Sequence, residues 1–180
     1  MEGGLAAAVL GTIAYLGLGS NEGDRLRALR LALDRLVAKG VELEAVSTVY
    51  ETEPQGEVRD QPDFLNACAH VRYSGDAESL LDLCKQVERE LGRNPSGRRH
   101  GPRPVDVDLL VFGDLVYRSE RLVLPHPEIR SRRFVLEPLL ELEPTLTLPD
   151  DGTPLRQHLS AVREQRVVSL GPLLQRDGSR

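Results

Sequence analysis

The chain has 180 residues, a hydrophobic fraction of 40% and a formal net charge of −5, which is typical of one globular domain that buries its own core. The negative charge and the lack of a long basic run argue against nucleic acid as its main partner. Two cysteines without metal-like spacing indicate a reduced intracellular protein. Apolar residues 5–18 follow no Lys or Arg and are too short to span a bilayer, so we expect a cytoplasmic protein without a membrane partner.

The predicted elements alternate between strands and helices along the chain. In order, they are a strand at 12–18, a helix from the N-cap Asn21 to Gly40, strands at 41–51 and 64–73, a helix at 76–91, a strand at 105–112, an extended stretch at 122–125 and a helix at 132–140. In each of the first two helices the apolar residues recur on one face, which indicates helices that pack on a sheet.

The order strand, helix, strand, strand, helix, strand is that of the split βαβ or ferredoxin-like arrangement. It predicts an α+β fold with an antiparallel sheet, two helices on one face, and long loops and C-terminal additions on the other. We expect a loose tail at 1–11, a single domain at 12–165 and a peripheral C-terminal tail at 166–180.

The last predicted strand of this core carries two aspartates, Asp106 and Asp108, at alternate positions. Alternate side chains of a strand share a face, so Val111 is expected to face the helices, and both carboxylates, with Leu110 and Phe112, to face away. Their Cα atoms would lie roughly 7 Å apart, which suits two Mg²⁺ ions about 3.5–4 Å apart. The alternative is a solvated strand face whose aspartates cap turns or pair with arginines.

A loop rich in glycine and proline precedes this strand and holds four arginines, Arg93, Arg98, Arg99 and Arg103. Guanidinium groups bind phosphate oxygens bidentately and keep their charge. The loop and the two carboxylates together therefore predict a site for a metal-bound nucleoside triphosphate. Arg93 and Arg103, at the two ends of the loop, are the better candidates, and a flexible, soluble surface loop is the alternative.

Three further features are candidates for ligand binding. His126 lies between two prolines, which fix its direction, and Arg121, Arg132 and Arg133 are close in sequence. This favours a role facing a phosphate, although a lone histidine is more often structural. Phe64 and Asn66 share one face of a strand, where a ring and an amide can recognise a flat heterocycle; a core ring and a loop-bonding amide are the alternative. Gly17 and Gly19 complete neither a dinucleotide fingerprint nor a P-loop, and they favour a close approach of backbone to ligand.

Together these segments resemble the 6-hydroxymethyl-7,8-dihydropterin pyrophosphokinase family of folate biosynthesis. The matching pieces lie in the family's order within residues 12–150, and they are Gly19-Ser20-Asn21; Tyr50-Glu51-Thr52-Glu53-Pro54 with Gly56; Gln61-Pro62-Asp63-Phe64-Leu65-Asn66; Glu88 and Gly92-Arg93; Gly101-Pro102-Arg103 with Asp106-Val107-Asp108; and Leu124-Pro125-His126-Pro127 with Arg132 and Phe134.

The resemblance implies the ferredoxin-like fold and the transfer of the pyrophosphoryl group of ATP to the pterin's hydroxymethyl oxygen, with AMP as the second product. It implies that Asp106 and Asp108 bind two Mg²⁺ ions, and that Arg93, Arg103 and Arg132 act in catalysis. The implied nucleotide contacts are Glu88, Arg93, Arg99, Arg103, Arg121 and His126, and the implied pterin contacts are Thr52, Glu53, Pro54, Gln55, Phe64, Asn66 and Phe134. The expected partners are these two small substrates, and the expected state is a monomer or a weak homo-oligomer.

Some positions depart from the family's pattern. His100 stands where many members have an aromatic residue, and Pro95 and Ser96 stand where a second basic pair is often found, which leaves open which loop arginines act.

Three other functions are alternatives to this one. A non-catalytic ligand-binding module would need no carboxylate pair, and an RNA-binding domain would need exposed aromatic residues and a basic sheet face. A kinase that transfers only the γ-phosphoryl group would release ADP.

Overall fold

The computed structural model describes residues 10–92 and 104–174. In chain order its elements are β1 (Thr12–Ser20), α1 (Arg25–Ala38), β2 (Glu42–Val46), β3 (Thr48–Thr52), β4 (Phe64–Tyr73), α2 (Ala77–Glu90), β5 (Asp106–Phe112), β6 (Tyr117–Arg118), β7 (Val123–Leu124), α3 (Arg133–Leu142), a 3₁₀ helix (Leu155–Val162) and β8 (Val167–Pro172).

Six of the strands form one antiparallel sheet. Its order is β5-β1-β4-β3-β8, and β2 pairs with β4 alongside β3. The strands β6 and β7 form a separate two-stranded sheet. The strand β1 therefore lies at the centre of the predicted motif, between β4 and β5. The predicted α+β, ferredoxin-like fold is confirmed.

The helices α1 and α2 cover one face of the sheet. Their apolar faces contribute Leu29 and Leu36 from α1 and Leu80 and Cys84 from α2 to one core cluster. All four side chains are essentially inaccessible to solvent. Full burial of an apolar side chain stabilises a fold by about 1.5–3 kcal/mol, so this layer is a main source of stability.

The C-terminal third covers the opposite face, as predicted. There α3 buries Leu136 and Leu139 against a second core cluster that also holds Tyr15, and the 3₁₀ helix adds Leu155. Cys68, Leu110 and Val135 of this second cluster also line the cavity described below.

The first helix begins later than the sequence predicted. Asp24, and not Asn21, is its N-cap, since the Asp24 side chain accepts a hydrogen bond from the Arg27 backbone N–H at 3.1 Å. Asn21 is buried, and its Nδ2 donates to the side chain of Gln61 and the carbonyl of Pro62, which lie far along the chain. Asn21 therefore forms contacts with a distant part of the chain and does not cap the helix.

The predicted strand at 41–51 is divided into β2 and β3 at Ser47. The backbone N–H of Ser47 donates to the Cys68 carbonyl, and Ser47 Oγ accepts from the Cys68 N–H at 2.9 Å. A side-chain oxygen thus takes the place of a backbone carbonyl in the ladder, which interrupts the regular pairing while both halves stay on β4.

The alternation predicted for β5 changes at a β-bulge. Tyr15 pairs with Val111 and Leu16 with Leu109, so Leu110 is an extra residue on β5. Val111 consequently packs in the second cluster and Phe112 in the first. The sequence-based faces of Val111 and Phe112 were wrong for this reason, whereas Asp106 and Asp108 precede the bulge.

The C-terminal segment is also more integrated than expected. Residues 167–172, assigned to a peripheral tail by the sequence, form the edge strand β8, which pairs with β3. Arg30 Nε donates to the Leu173 carbonyl at 2.9 Å and ties this strand to α1. Across the described residues, no helix is long and apolar enough to cross a membrane.

Candidate active site

The floor of the candidate site is the central strand β1. Its Gly19 lies opposite Asn66 of β4 on one side and Asp106 of β5 on the other. Gly17 lies in the same way between Cys68 and Asp108. Since residues opposite each other in antiparallel strands share a face, the side chains of Asn66, Cys68, Asp106 and Asp108 flank two positions that have no side chain.

The two glycines keep this floor open. A Cβ added to Gly19 would lie 2.9 Å from Asn66 Oδ1, and one added to Gly17 would lie 3.4 Å from a methyl group of Leu110. The first separation is shorter than real Cβ contacts, so the neighbouring amide would have to move. The predicted role of the glycines, a close approach of backbone to ligand, remains a prediction that this geometry supports.

The first cavity lies on this floor. Its lining includes ten of the side chains predicted from the sequence: Thr52, Glu53, Gln55, Phe64, Asn66, Asp106, Asp108, His126, Arg132 and Phe134. These residues come from β3 and the loop after it, from β4 and β5, and from the segment that leads into the start of α3. Segments that are far apart in the sequence are therefore brought together around one space, with aromatic rings, amides and carboxylates on its walls.

A buried hydrogen bond orients the amide of Asn66. Its Nδ2 donates to Thr52 Oγ1 at 2.7 Å, and both residues are less than a tenth exposed. The register explains the contact, because Asn66 and Thr52 lie near the paired ends of β4 and β3. The donor directed at Thr52 leaves the amide oxygen on the Gly19 side, within reach of a ligand on the floor.

Arg132 and Phe134 form the opposite wall at the start of α3. The guanidinium carbon of Arg132 lies 5.6 Å from the centroid of the Phe134 ring, a distance at which a cation is attracted to an aromatic face. Arg132 also forms an ion pair with Glu128. The wall therefore presents a flat ring and a held positive charge to the same cavity.

A second cavity adjoins the first. It is lined by Leu81, Lys85, Val107, Asp108, Leu109, Glu120, Arg121, Leu122, Val123, His126 and Pro127. Asp108 and His126 line both cavities. A ligand in one cavity and a ligand in the other would therefore meet beside these two side chains.

His126 is held as a neutral imidazole at this junction. Its backbone N–H donates to the Leu110 carbonyl at 2.9 Å, and its Nδ1 accepts from the Glu128 N–H. Burial lowers the pKa of His126 below its usual 6.5, and the charge of Arg132 acts in the same direction, although Asp108 opposes them. With Nδ1 as acceptor, the ring proton resides on Nε2, which can donate to a phosphate oxygen.

Arg121 reaches the second cavity while it is paired with acidic residues of α2. Its guanidinium contacts Asp82 and lies 3.4 Å from Glu78 Oε2. The hydrogen bond to Asp82 raises the pKa of Arg121 further above its ordinary value. A nucleotide contact by Arg121 would therefore require the guanidinium to share or exchange these carboxylates.

Two predicted contacts lie away from both cavity linings within the described residues. Glu88 is buried in α2, and its Oε1 accepts from the Val107 N–H at 2.9 Å, so it anchors β5 between the two aspartates. Pro54 is likewise buried and lies outside the lining. The predicted arginines Arg93, Arg99 and Arg103 lie outside the described residues.

The two aspartates can serve as ligands for Mg²⁺. The described residues contain no group of three or more His, Cys, Asp or Glu that could hold a metal. A carboxylate pair is nevertheless the donor set that suits this ion, because Mg²⁺ is usually held by one or two carboxylates with phosphate oxygens and waters completing the octahedron. The residues present therefore fit a metal that arrives with a polyphosphate.

Among the cavity residues that sequence reasoning missed are Cys68 and Lys85. Cys68 lines the first cavity two positions after Asn66 on β4, and the alternation of the strand could have indicated this shared face. Its burial raises the pKa of the thiol, so it is protonated. Lys85 lines the second cavity one helical turn after Leu81. The sequence pattern of α2 indicates its apolar face but does not single out this lysine.

Comparisons with known proteins point to one family. Residues 15–144 match the family model described as 7,8-dihydro-6-hydroxymethylpterin-pyrophosphokinase. A Methylorubrum extorquens protein named 2-amino-4-hydroxy-6-hydroxymethyldihydropteridine pyrophosphokinase is 42% identical over 150 residues, which cover 83% of this chain and 92% of that protein.

Other matches come from longer proteins. The folic acid synthesis protein fol1 of Schizosaccharomyces pombe is 39% identical over 156 residues, which are 86% of this chain and 21% of that protein. The chain thus spans about a fifth of the length of the fungal relatives it matches. The wild-type HPPK-DHPS structure of Plasmodium falciparum is similar in fold, with a TM-score of 0.63 at 15% identity over 86% of this chain and 45% of that one.

Proposed function

Because the chain belongs to the 7,8-dihydro-6-hydroxymethylpterin-pyrophosphokinase family, we propose that it transfers the pyrophosphoryl group of ATP to the hydroxymethyl oxygen of 6-hydroxymethyl-7,8-dihydropterin and releases AMP. Family membership was predicted from the sequence and is confirmed. The products place the reaction in folate biosynthesis, the process named for the fungal relative.

The observation that carries the proposal is the meeting of two unlike cavities at Asp108 and His126. The first has aromatic rings and an oriented amide, which suit a flat heterocycle with hydrogen-bonding edges. The second has Lys85 and Arg121 on its walls, which suit phosphate oxygens. A pterin in the first cavity and ATP in the second would bring the hydroxymethyl oxygen and the phosphate chain together at the shared side chains.

In the first cavity, Phe64 and Phe134 would hold the two faces of the pterin ring, and Asn66 would bond its edge. The hydrogen bond from Asn66 to Thr52 Oγ1 fixes the amide before the substrate binds, so less ordering entropy is lost on binding. The segment 52–55 would complete the pocket around the ring, with Glu53 and Gln55 on its lining.

At the junction, Asp106 and Asp108 would hold two Mg²⁺ ions. Such ions neutralise charge on a polyphosphate and align the attacking and leaving oxygens. Two side chains would add to the stabilisation of the phosphate charge. Neutral His126 would donate a hydrogen bond from Nε2 to a phosphate oxygen, and Arg132 would place a positive charge on the side of the pterin. Positioned charges of this kind are the main source of catalysis in phosphoryl transfer, which needs little covalent participation by the protein.

The proposal is tested by product analysis. Purified protein with Mg²⁺ and ATP should form AMP only when the pterin is present, with one pterin diphosphate per AMP. The matched variants are Asp108→Asn, in the site, and Asp114→Asn, in an exposed turn just after β5. Loss of AMP formation in the first variant alone is expected; ADP as the product, or equal activity of the two variants, would contradict the assignment.

A further inference from the structure

Lysine is rare in this chain. The sequence holds two lysines, Lys39 and Lys85, among 23 basic residues. Lys39 follows α1 and pairs with Glu90 at 2.8 Å on the surface. Lys85 instead projects from α2 onto the wall of the second cavity. Each lysine is therefore a natural reference for the other.

The position of Lys85 follows from the packing of α2 on β5. Leu81 and Lys85 are separated by one helical turn, so both reach the same wall. Asp108 and His126, the two side chains shared with the first cavity, complete the same enclosure. A chain of phosphates that ends at the junction would therefore extend past the Lys85 side chain.

The ammonium group of Lys85 is held but still reachable. Its Nζ lies 3.5 Å from Glu88 Oε2, at the outer limit of a hydrogen bond. The Lys85 side chain is 41% exposed, whereas that of Glu88 is 2% exposed. The buried carboxylate thus keeps the positive charge at the wall without removing it from solvent.

The alternative cation on this wall is more strongly engaged. Arg121 contacts both Glu78 and Asp82, while Lys85 forms a long ion pair with Glu88 among the described residues. An ammonium is a compact point charge, which binds a phosphate oxygen from many directions. Lys85 can therefore turn to a phosphate at a smaller loss of existing contacts than Arg121.

We propose that Lys85 binds the triphosphate chain of ATP in the second cavity, with Glu88 as the residue that positions it. This inference rests on the proposed function, because it takes the second cavity as the nucleotide site. The competing explanation is that Lys85 only neutralises the buried carboxylate of Glu88. In that case its removal would destabilise the fold and would not discriminate between nucleotides by their phosphates.

The test is equilibrium binding of ATP with Mg²⁺, without pterin, to the wild type and to Lys85→Met, Lys85→Arg and Lys39→Met. A charged hydrogen bond contributes about 1.5–3 kcal/mol, so Lys85→Met is expected to weaken ATP binding about tenfold or more. The affinity for adenosine, measured by competition, should stay unchanged. Lys85→Arg should recover most of the loss, and Lys39→Met should behave as the wild type.

A second readout follows the two amines directly. Amine-selective modification of the full chain, read by mass spectrometry, should show that ATP protects Lys85 and leaves Lys39 equally reactive. Unchanged ATP affinity in Lys85→Met, an equal loss for ATP and adenosine, or no protection of Lys85 by ATP would overturn the role of Lys85 alone. A wild-type protein that binds no ATP would overturn the proposed function together with this inference.

Discussion

The glycine floor of the first cavity makes a quantitative prediction for Gly19→Ala. The new Cβ would lie 2.9 Å from Asn66 Oδ1, although ordinary van der Waals contact begins at 3.4 Å. The backbone of Gly19 is not in the left-handed region, so alanine meets no conformational strain there. The cost therefore comes from the displaced amide, which is buried and bonded to Thr52 at 2.7 Å.

Overpacking a buried site costs about 1–3 kcal/mol, and loss of the Asn66–Thr52 hydrogen bond adds about 0.5–1.5 kcal/mol. Replacing glycine by alanine returns about 0.4–1 kcal/mol through the unfolded chain. The expected net loss of unfolding free energy is about 0.5–4 kcal/mol, which lowers the Tm of a domain of this size by about 1–16 °C.

Gly17→Ala is the matched control, because it adds the same methyl group to the same face of the same strand. Its Cβ would lie 3.4 Å from Leu110, an ordinary contact. Its unfolding free energy is expected to equal that of the wild type or to exceed it by up to about 1 kcal/mol, the gain through the unfolded chain. Urea denaturation and calorimetric titration with the pterin are the assays, and Gly19→Ala should also bind the pterin more weakly. Equal unfolding free energies and equal pterin affinities of the two variants would show that the contact with Asn66 Oδ1 has no cost.

The remaining predictions concern single groups. Asp108→Asn should lower turnover roughly a hundredfold or more at saturating Mg²⁺ with little change in Tm; near-normal turnover would refute the metal assignment. Burial and the hydrogen bond to Glu141 raise the pKa of Tyr50 from 10.0 to about 12, so the stability this phenol contributes is present below pH 10 and is lost as pH rises through about 12. Alkaline denaturation of Tyr50→Phe should therefore be less steep over that interval, and identical curves would exclude the effect. Burial raises the pKa of the thiols of Cys68 and Cys84, so neither should react with iodoacetamide until the protein unfolds; rapid alkylation of the folded chain would contradict their burial.

Much of the fold was predictable because it depends on local patterns. The apolar periodicity placed α2 at 76–91, within a residue of its observed bounds, and the structure shows Asp76 as its N-cap, which accepts from the Ser79 N–H at 2.8 Å. The order of elements predicted the antiparallel sheet and the placement of both helices on one of its faces.

The errors arose where a distant partner decided the local structure. Asn21 has the properties of an N-cap, yet it bonds Gln61 and Pro62 across the fold. The division of one strand at Ser47 depends on a hydrogen bond with Cys68, and the bulge at Leu110 depends on the register with β1. A pattern within one segment contains no information about such partners.

In the candidate site, too, the residues selected by local patterns were predictable and those placed by distant packing were not. Asp106, Asp108, Phe64 and Asn66 could be found because alternation and residue type select them within single strands. Lys85 could not, because its side chain became a cavity residue only through the packing of α2 against β5.

Pyrophosphoryl transfer can be followed with ATP labelled at its β-phosphorus. Incubation with Mg²⁺ and 6-hydroxymethyl-7,8-dihydropterin should place the label in the pterin product and leave the AMP unlabelled. Label that stays in a nucleoside diphosphate would show transfer of the γ-phosphoryl group alone and would contradict the account.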